Sequence, residues 1–87
     1  MKLAAERPFA NPETAARKLM MIANGIDAVQ DGRIFIELLN GAFLSTEGGT
    51  PQEYGAGLRY AIEAGWLWQH ESGTYVKFTA AGADLFA

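Results

Sequence analysis

The pattern of apolar and polar residues between positions 11 and 26 is typical of an amphipathic helix. Asn11 is a favourable N-cap, Pro12 suits the first helical position, and Asn24-Gly25 can end the helix because either residue tolerates a left-handed backbone. The apolar positions recur at helical spacing and form one stripe that we expect to be buried: Ala15, Leu19, Ile22, Ala23 and Ile26.

The next apolar run, Ile34-Phe35-Ile36-Glu37-Leu38-Leu39, fits two periodicities. If the pattern is followed to Leu44, its apolar positions lie on one face of a helix, whereas the β-branched residues before Glu37 fit a short strand. The longer pattern accounts for more residues and predicts a helix over about 33–46. The strand stays open as an alternative, because Asn40-Gly41 inside that helix costs about 1 kcal/mol of helix propensity at the glycine.

The segment Thr50-Pro51-Gln52-Glu53 is the clearest local helix signal in the chain. Its threonine and glutamate form a capping box around a proline at the first helical position, and Gly65 can end the helix. Gly55 and Gly57 each cost about 1 kcal/mol inside it, which we attribute to close packing of a neighbouring helix, with an approaching ligand backbone as the alternative. The predicted buried stripe consists of Tyr54, Leu58, Ala61 and Ile62.

Two runs rich in aromatic and β-branched residues predict a β-hairpin near the C-terminus. The runs 66–70 and 74–78 flank Glu71-Ser72-Gly73, which is a short glycine turn. Thr79 is then a favourable N-cap for a last short helix over 80–86.

These elements predict an α+β fold with three helices, then a two-stranded β-hairpin and a short C-terminal helix. A chain of 87 residues has room for one core only. Pro8 interrupts the first ten residues, which lack a clear period. We therefore interpret 1–10 as a flexible N-terminal arm and 11–87 as one domain.

Two segments of the second half carry a resemblance to a known family. The segment 61–67 is similar to the end of a recognition helix that enters a first wing strand, and 73–82 is similar to a second wing strand followed by a helix start. Over 50–86 the chain thus resembles a winged helix-turn-helix domain of bacterial regulators. The resemblance implies a winged-helix-like domain whose recognition helix is 51–64. The nucleic-acid-binding candidates are then Gln52, Arg59, Tyr60 and Lys77.

The charge distribution opposes that DNA-binding role. The net charge is −3, and residues 34–87 carry two basic against six acidic residues, whereas nucleic-acid binders usually carry a basic surface. Winged helices also serve as protein-interaction modules. The alternative is therefore an acidic protein-interaction or self-association module, including a homodimer.

The predicted hairpin supplies the candidate residues for protein interaction. Trp66 and Trp68 have the same parity along the predicted strand, so we expect both side chains on one face. Tryptophan and tyrosine are enriched where protein interfaces are strongest. The protein-interaction candidates are Trp66, Trp68 and Tyr75.

The chain offers no pattern typical of catalysis. It has no cysteine, and His70 is its only histidine, without partners at metal-ligand or acid–base spacing. We therefore predict a protein that is not an enzyme, with no cofactor, no metal and no small-molecule substrate. The charged first residues and the lack of a long apolar run predict a cytoplasmic protein without a membrane partner.

Overall fold

A computed structural model describes residues 7–87 and confirms the α+β class, with four α-helices and a three-stranded antiparallel sheet. Short 3-10 turns lie at Pro8–Ala10 and Gln30–Gly32, and a π-helical turn lies at Ala42–Thr46. In chain order, the main elements are α1 (Pro12–Gly25), β1 (Ile34–Phe35), α2 (Ile36–Gly41), α3 (Pro51–Glu63), β2 (Leu67–Gln69), β3 (Tyr75–Phe78) and α4 (Ala80–Asp84).

Helix α1 begins and ends where the sequence predicts. The Asn11 side chain accepts a hydrogen bond from the Thr14 backbone N–H at 3.1 Å, which satisfies one of the free amides of the first turn. Ile22 and Ile26 pack against the core at its rim and are only partly buried. The fully buried face of the helix consists of Ala15, Ala16, Leu19, Met20 and Ala23.

Helix α3 packs closely against α1 and carries the predicted capping box. The Thr50 hydroxyl accepts from the Glu53 N–H at 3.1 Å, and the Glu53 carboxylate accepts from the Thr50 N–H at 3.0 Å. Close helix packing is confirmed for Gly57, because an added Cβ would lie 2.8 Å from the Cβ of Ala15. It does not hold for Gly55, which has open space around it.

The predicted helix over 33–46 is wrong at its start. Ile34 and Phe35 form β1, which pairs antiparallel with β3 so that Ile34 lies opposite Val76. This strand turns the predicted two-stranded hairpin into a sheet with the order β1–β3–β2. The strand forms because it pairs the remaining edge of β3 and buries Ile34 in the core. The helical part of the prediction holds from Ile36 onward, as α2 and the π-helical turn.

The hairpin and the last helix follow the sequence signals closely. The glycine turn lies between β2 and β3, with Gly73 at a φ of 76°. The Thr79 hydroxyl accepts from the Gly82 N–H at 3.0 Å and thereby caps α4. That helix ends at Asp84, two residues before the predicted end.

The predicted N-terminal arm is folded against the domain from Arg7 onward. Phe9 packs on Phe43 with ring centroids 4.9 Å apart, and the Arg7 guanidinium pairs with Glu53 at 2.8 Å. An aromatic contact and an ion pair therefore hold 7–10, where the sequence predicts a loose segment. The remainder of the predicted arm, residues 1–6, lies outside the described residues.

Candidate functional site

The strand register places aromatic and cationic side chains together on the face of the sheet that turns away from the core. Side chains alternate between the two faces of a strand, and Ile34, Leu67 and Val76 occupy the buried face. On the opposite face Phe35 lies beside Tyr75, and Trp68 lies beside Lys77. We call this surface the outer sheet face, and its six members are Arg33, Phe35, Trp68, His70, Tyr75 and Lys77.

The rings of the outer sheet face contact one another and remain partly open to solvent. His70 stacks on Tyr75, with centroids 4.7 Å apart and planes 19° apart. The Trp68 ring centroid lies 6.2 Å from that of Tyr75 and 5.8 Å from that of His70, which it meets edge-on. Trp68 is 48% exposed and Phe35 is 38% exposed. The sheet thus presents a preformed aromatic surface.

Both cations of the outer sheet face lie over aromatic rings. The Arg33 guanidinium carbon is 4.9 Å from the Tyr75 ring centroid, and the Lys77 ammonium is 6.0 Å from a Trp68 ring. Such contacts are worth about 0.5–1 kcal/mol at exposed sites. Strands β1 and β2 flank β3. Arg33 and His70 therefore approach Tyr75 from opposite sides, and both faces of its ring are covered.

The hairpin turn fixes the imidazole of His70. Its Nδ1 accepts from the Ser72 backbone N–H at 3.1 Å and lies 2.8 Å from the Ser72 hydroxyl. The same hydroxyl is 2.8 Å from that of Thr74. These hydrogen bonds hold the ring against Tyr75, so the turn orients part of the outer sheet face.

Three of the four basic residues elsewhere in the described chain pair with glutamates, and the fourth, Arg59, forms no ion pair within residues 7–87. Ion pairs join Arg7 to Glu53, Arg17 to Glu13 at 3.0 Å, and Lys18 to Glu47 at 3.6 Å. The pKa of Glu53 is lowered to about 2, first by the side-chain hydrogen bond from Arg7 and then by that of the Thr50 backbone. These three positive charges are thus offset within the protein itself.

The predicted nucleic-acid candidates lie in four different surroundings. Gln52 is exposed in the first turn of α3, and Lys77 belongs to the outer sheet face. Arg59 lines an open groove between α3 and β2 together with Glu63. Tyr60 is half-buried, with its ring 5.8 Å from that of Trp66. The fold therefore gathers these four side chains into no common cationic surface.

Two of the three predicted protein-interaction residues are brought together. Trp68 and Tyr75 meet on the outer sheet face. The prediction that Trp66 shares a strand face with Trp68 is wrong, because β2 begins only at Leu67. Trp66 instead packs on α3, and the Arg17 guanidinium lies 5.1 Å from its ring centroid.

Three members of the outer sheet face are not among the residues predicted from the sequence: Arg33, Phe35 and His70. The alternative interpretation of 34–37 as a strand contained the necessary information, since it puts the side chains on either side of Ile34 on the opposite face. His70 follows β2 with the parity of Trp68 and could be added by the same argument.

The described residues contain neither a metal-binding cluster nor a membrane-spanning helix. Within residues 7–87, no group of three or more His, Cys, Asp or Glu side chains is arranged to hold a metal ion. In that same part of the chain, every helix is too short or too polar to cross a bilayer.

Comparisons of the chain with protein-family models, curated proteins and solved structures give no match. The function must therefore be argued from the side chains of the outer sheet face and their geometry.

Proposed function

We propose that this chain is a winged-helix-like protein-interaction module whose contact surface is the outer sheet face. One observation carries the proposal: exposed aromatic rings gather on that face with two cations, Arg33 and Lys77, that pair with no carboxylate within residues 7–87. The cations that α1 and the N-terminal turn contribute are, in contrast, offset by the protein's own glutamates.

The order of the elements supports the winged-helix part of the proposal. Helix α1 is followed by β1, then α2 and α3, then β2 and β3, and β1 joins the sheet beside β3. A winged helix has this arrangement, with α3 as its recognition helix and the β2–β3 hairpin as its wing. The proposal assigns partner binding to the sheet that contains the wing, and not to α3.

The composition of the outer sheet face supports protein recognition. Tryptophan, tyrosine and arginine dominate the binding energy of protein interfaces when a partner buries them. Trp68 has nearly half of its surface available for such burial. Tyr75 is already held between Arg33 and His70, so little side-chain entropy is lost when a partner docks.

DNA binding through α3 is the competing function. The exposed side chains of Gln52 and Arg59 favour it. Glu63 lines the same groove as Arg59, however, and its carboxylate would repel phosphates. With so few phosphates neutralised, affinity for duplex DNA would be weak and strongly salt-dependent.

A random peptide display library tests the proposal directly. We expect peptides that the wild-type protein enriches to lose binding to Trp68→Ala, because that variant removes the largest exposed ring of the outer sheet face. Met21→Ala is the matched control, since Met21 is an exposed apolar residue of α1. Circular dichroism checks that both variants are folded. Equal retention of the peptides by Trp68→Ala, or no enrichment by wild type, would contradict the proposal.

A titration with mixed-sequence duplex DNA, followed by amide-resolved NMR, separates the two functions. The proposal predicts no shifts along α3 even at low salt. Shifts of the Gln52 and Arg59 amides that fade as salt rises would replace it with DNA binding.

A further inference from the structure

We infer that the outer sheet face binds an acidic peptide segment whose carboxylates pair with Arg33 and Lys77. This inference rests on the proposed function, because it names the chemistry of the partner for the same surface.

Charge complementarity favours an acidic partner. The side chains of the outer sheet face are aromatic or cationic, and none is acidic. Within residues 7–87, neither Arg33 nor Lys77 forms an ion pair with a carboxylate, whereas Arg7, Arg17 and Lys18 all do. The face is therefore a positive site on a chain of net charge −3, and an acidic partner complements it.

Both cations are already oriented before a partner binds. Aromatic rings hold both side chains: Arg33 directly precedes β1, and Lys77 lies on the neighbouring strand β3. An incoming carboxylate can bind a guanidinium through two parallel hydrogen bonds, which is the strongest pairing of this kind.

The contacts on the Tyr75 ring favour a peptide over a nucleic acid at that ring. Proteins that bind single-stranded nucleic acid offer free ring faces on which bases stack. Both faces of the Tyr75 ring are covered, by Arg33 on one side and His70 on the other. A carboxylate needs no free ring face, and apolar side chains beside it can pack on the exposed parts of Trp68 and Phe35.

The test compares each peptide enriched by the wild-type protein with a version in which Glu and Asp are replaced by Gln and Asn. Calorimetry measures both peptides at low and moderate salt. We expect Arg33→Gln and Lys77→Gln each to lower the affinity for the acidic peptide about fivefold. The neutral peptide should bind the wild-type protein about twenty-fold more weakly than the acidic one. Raising the salt concentration should reduce the difference between the two peptides.

Two further variants serve as controls for these measurements. Arg59→Gln removes an exposed cation from α3 and should leave the affinity unchanged. Arg33→Lys keeps the charge but loses the two parallel hydrogen bonds, so its affinity should lie between those of wild type and Arg33→Gln; it tests the site even if Arg33→Gln proves unstable. An equal loss of affinity with Arg59→Gln would overturn the inference, because the attraction would then be diffuse and not local.

The remaining outcomes separate this inference from the proposed function. The inference of an acidic partner is overturned if peptides need Trp68 for binding but bind equally well with Gln and Asn in place of Glu and Asp. The proposed protein-interaction function would then still hold. An absence of Trp68-dependent peptides overturns both. Binding of oligodeoxythymidine that Trp68→Ala abolishes would assign the face to nucleic acid. A concentration-dependent dimer that Lys77→Gln dissolves would assign it to a second copy of this chain.

Discussion

Two glycines of α3 allow a sharp test of how the helices pack. Gly55 and Gly57 lie in the same helix, but only Gly57 faces α1. At position 57 an added methyl group would lie 2.8 Å from the Ala15 Cβ and 3.1 Å from backbone atoms of Ala15 and Ala16. At position 55 it would meet nothing within 4 Å. We therefore expect Gly55→Ala and Gly57→Ala to change stability in opposite directions.

The magnitudes follow from two opposing contributions to the free energy of unfolding. Alanine is preferred over glycine in a helix interior by about 1 kcal/mol, and this gain is common to both variants. Overpacking a core contact costs about 1–3 kcal/mol, and only Gly57→Ala incurs that cost because the α1 backbone cannot move alone. Gly55→Ala should be more stable than wild type by about 1 kcal/mol. Gly57→Ala should be less stable than wild type by up to about 2 kcal/mol.

Urea denaturation followed by circular dichroism measures both variants. With a urea m-value of about 1–3 kcal/mol/M, a difference of 1 kcal/mol moves the urea midpoint by about 0.3–1 M, so the predicted difference is easily resolved. If Gly57→Ala were as stable as Gly55→Ala, then α1 and α3 would not be in close contact at Ala15, and the core described above would be refuted.

Three other predictions concern single side chains. The pKa of Glu53 is lowered from 4.5 to about 2 in the folded protein, so its contribution to stability is present above pH 4.5 and is lost as pH falls toward 2. In an acid titration, the stability of Glu53→Gln should therefore decline less steeply than that of wild type. Burial raises the pKa of Tyr54 to about 12 from 10.0, and its hydroxyl has no partner among the described residues. Tyr54→Phe should therefore match or exceed wild-type stability in urea, and it should lose the destabilisation that develops in wild type as pH rises from 10 toward 12. Thr50→Ala removes the acceptor of the capping box and should cost about 1 kcal/mol in the same assay.

The parts of the fold that were predictable depend on contacts between near neighbours. Asn11, Thr50 and Thr79 each accept a hydrogen bond from an amide three residues ahead, so the starts of α1, α3 and α4 follow from local sequence alone. The sequence predicts a helix where β1 lies, because the residue that pairs with Ile34, Val76, lies in the other half of the chain. A two-residue strand has too short a pattern to reveal such a distant pairing.

The same distinction applies to the candidate surface. Trp68 and Tyr75 were recognisable because both belong to one hairpin. Arg33 joins them only through β1, so its role depends on the pairing that local sequence does not encode. Trp66 was misplaced for a related reason: its N–H bonds to the Ala61 carbonyl at the end of α3, which delays the start of β2 by one residue. The DNA-contacting roles of Gln52 and Arg59 stay predictions.

Amide-resolved NMR with a peptide enriched by the wild-type protein tests the central claim most directly. If the outer sheet face is the contact surface, shifts will concentrate at 33–35, 68–70 and 75–77, and α3 will be unaffected. Shifts confined to 51–63, with the sheet unchanged, would contradict the account.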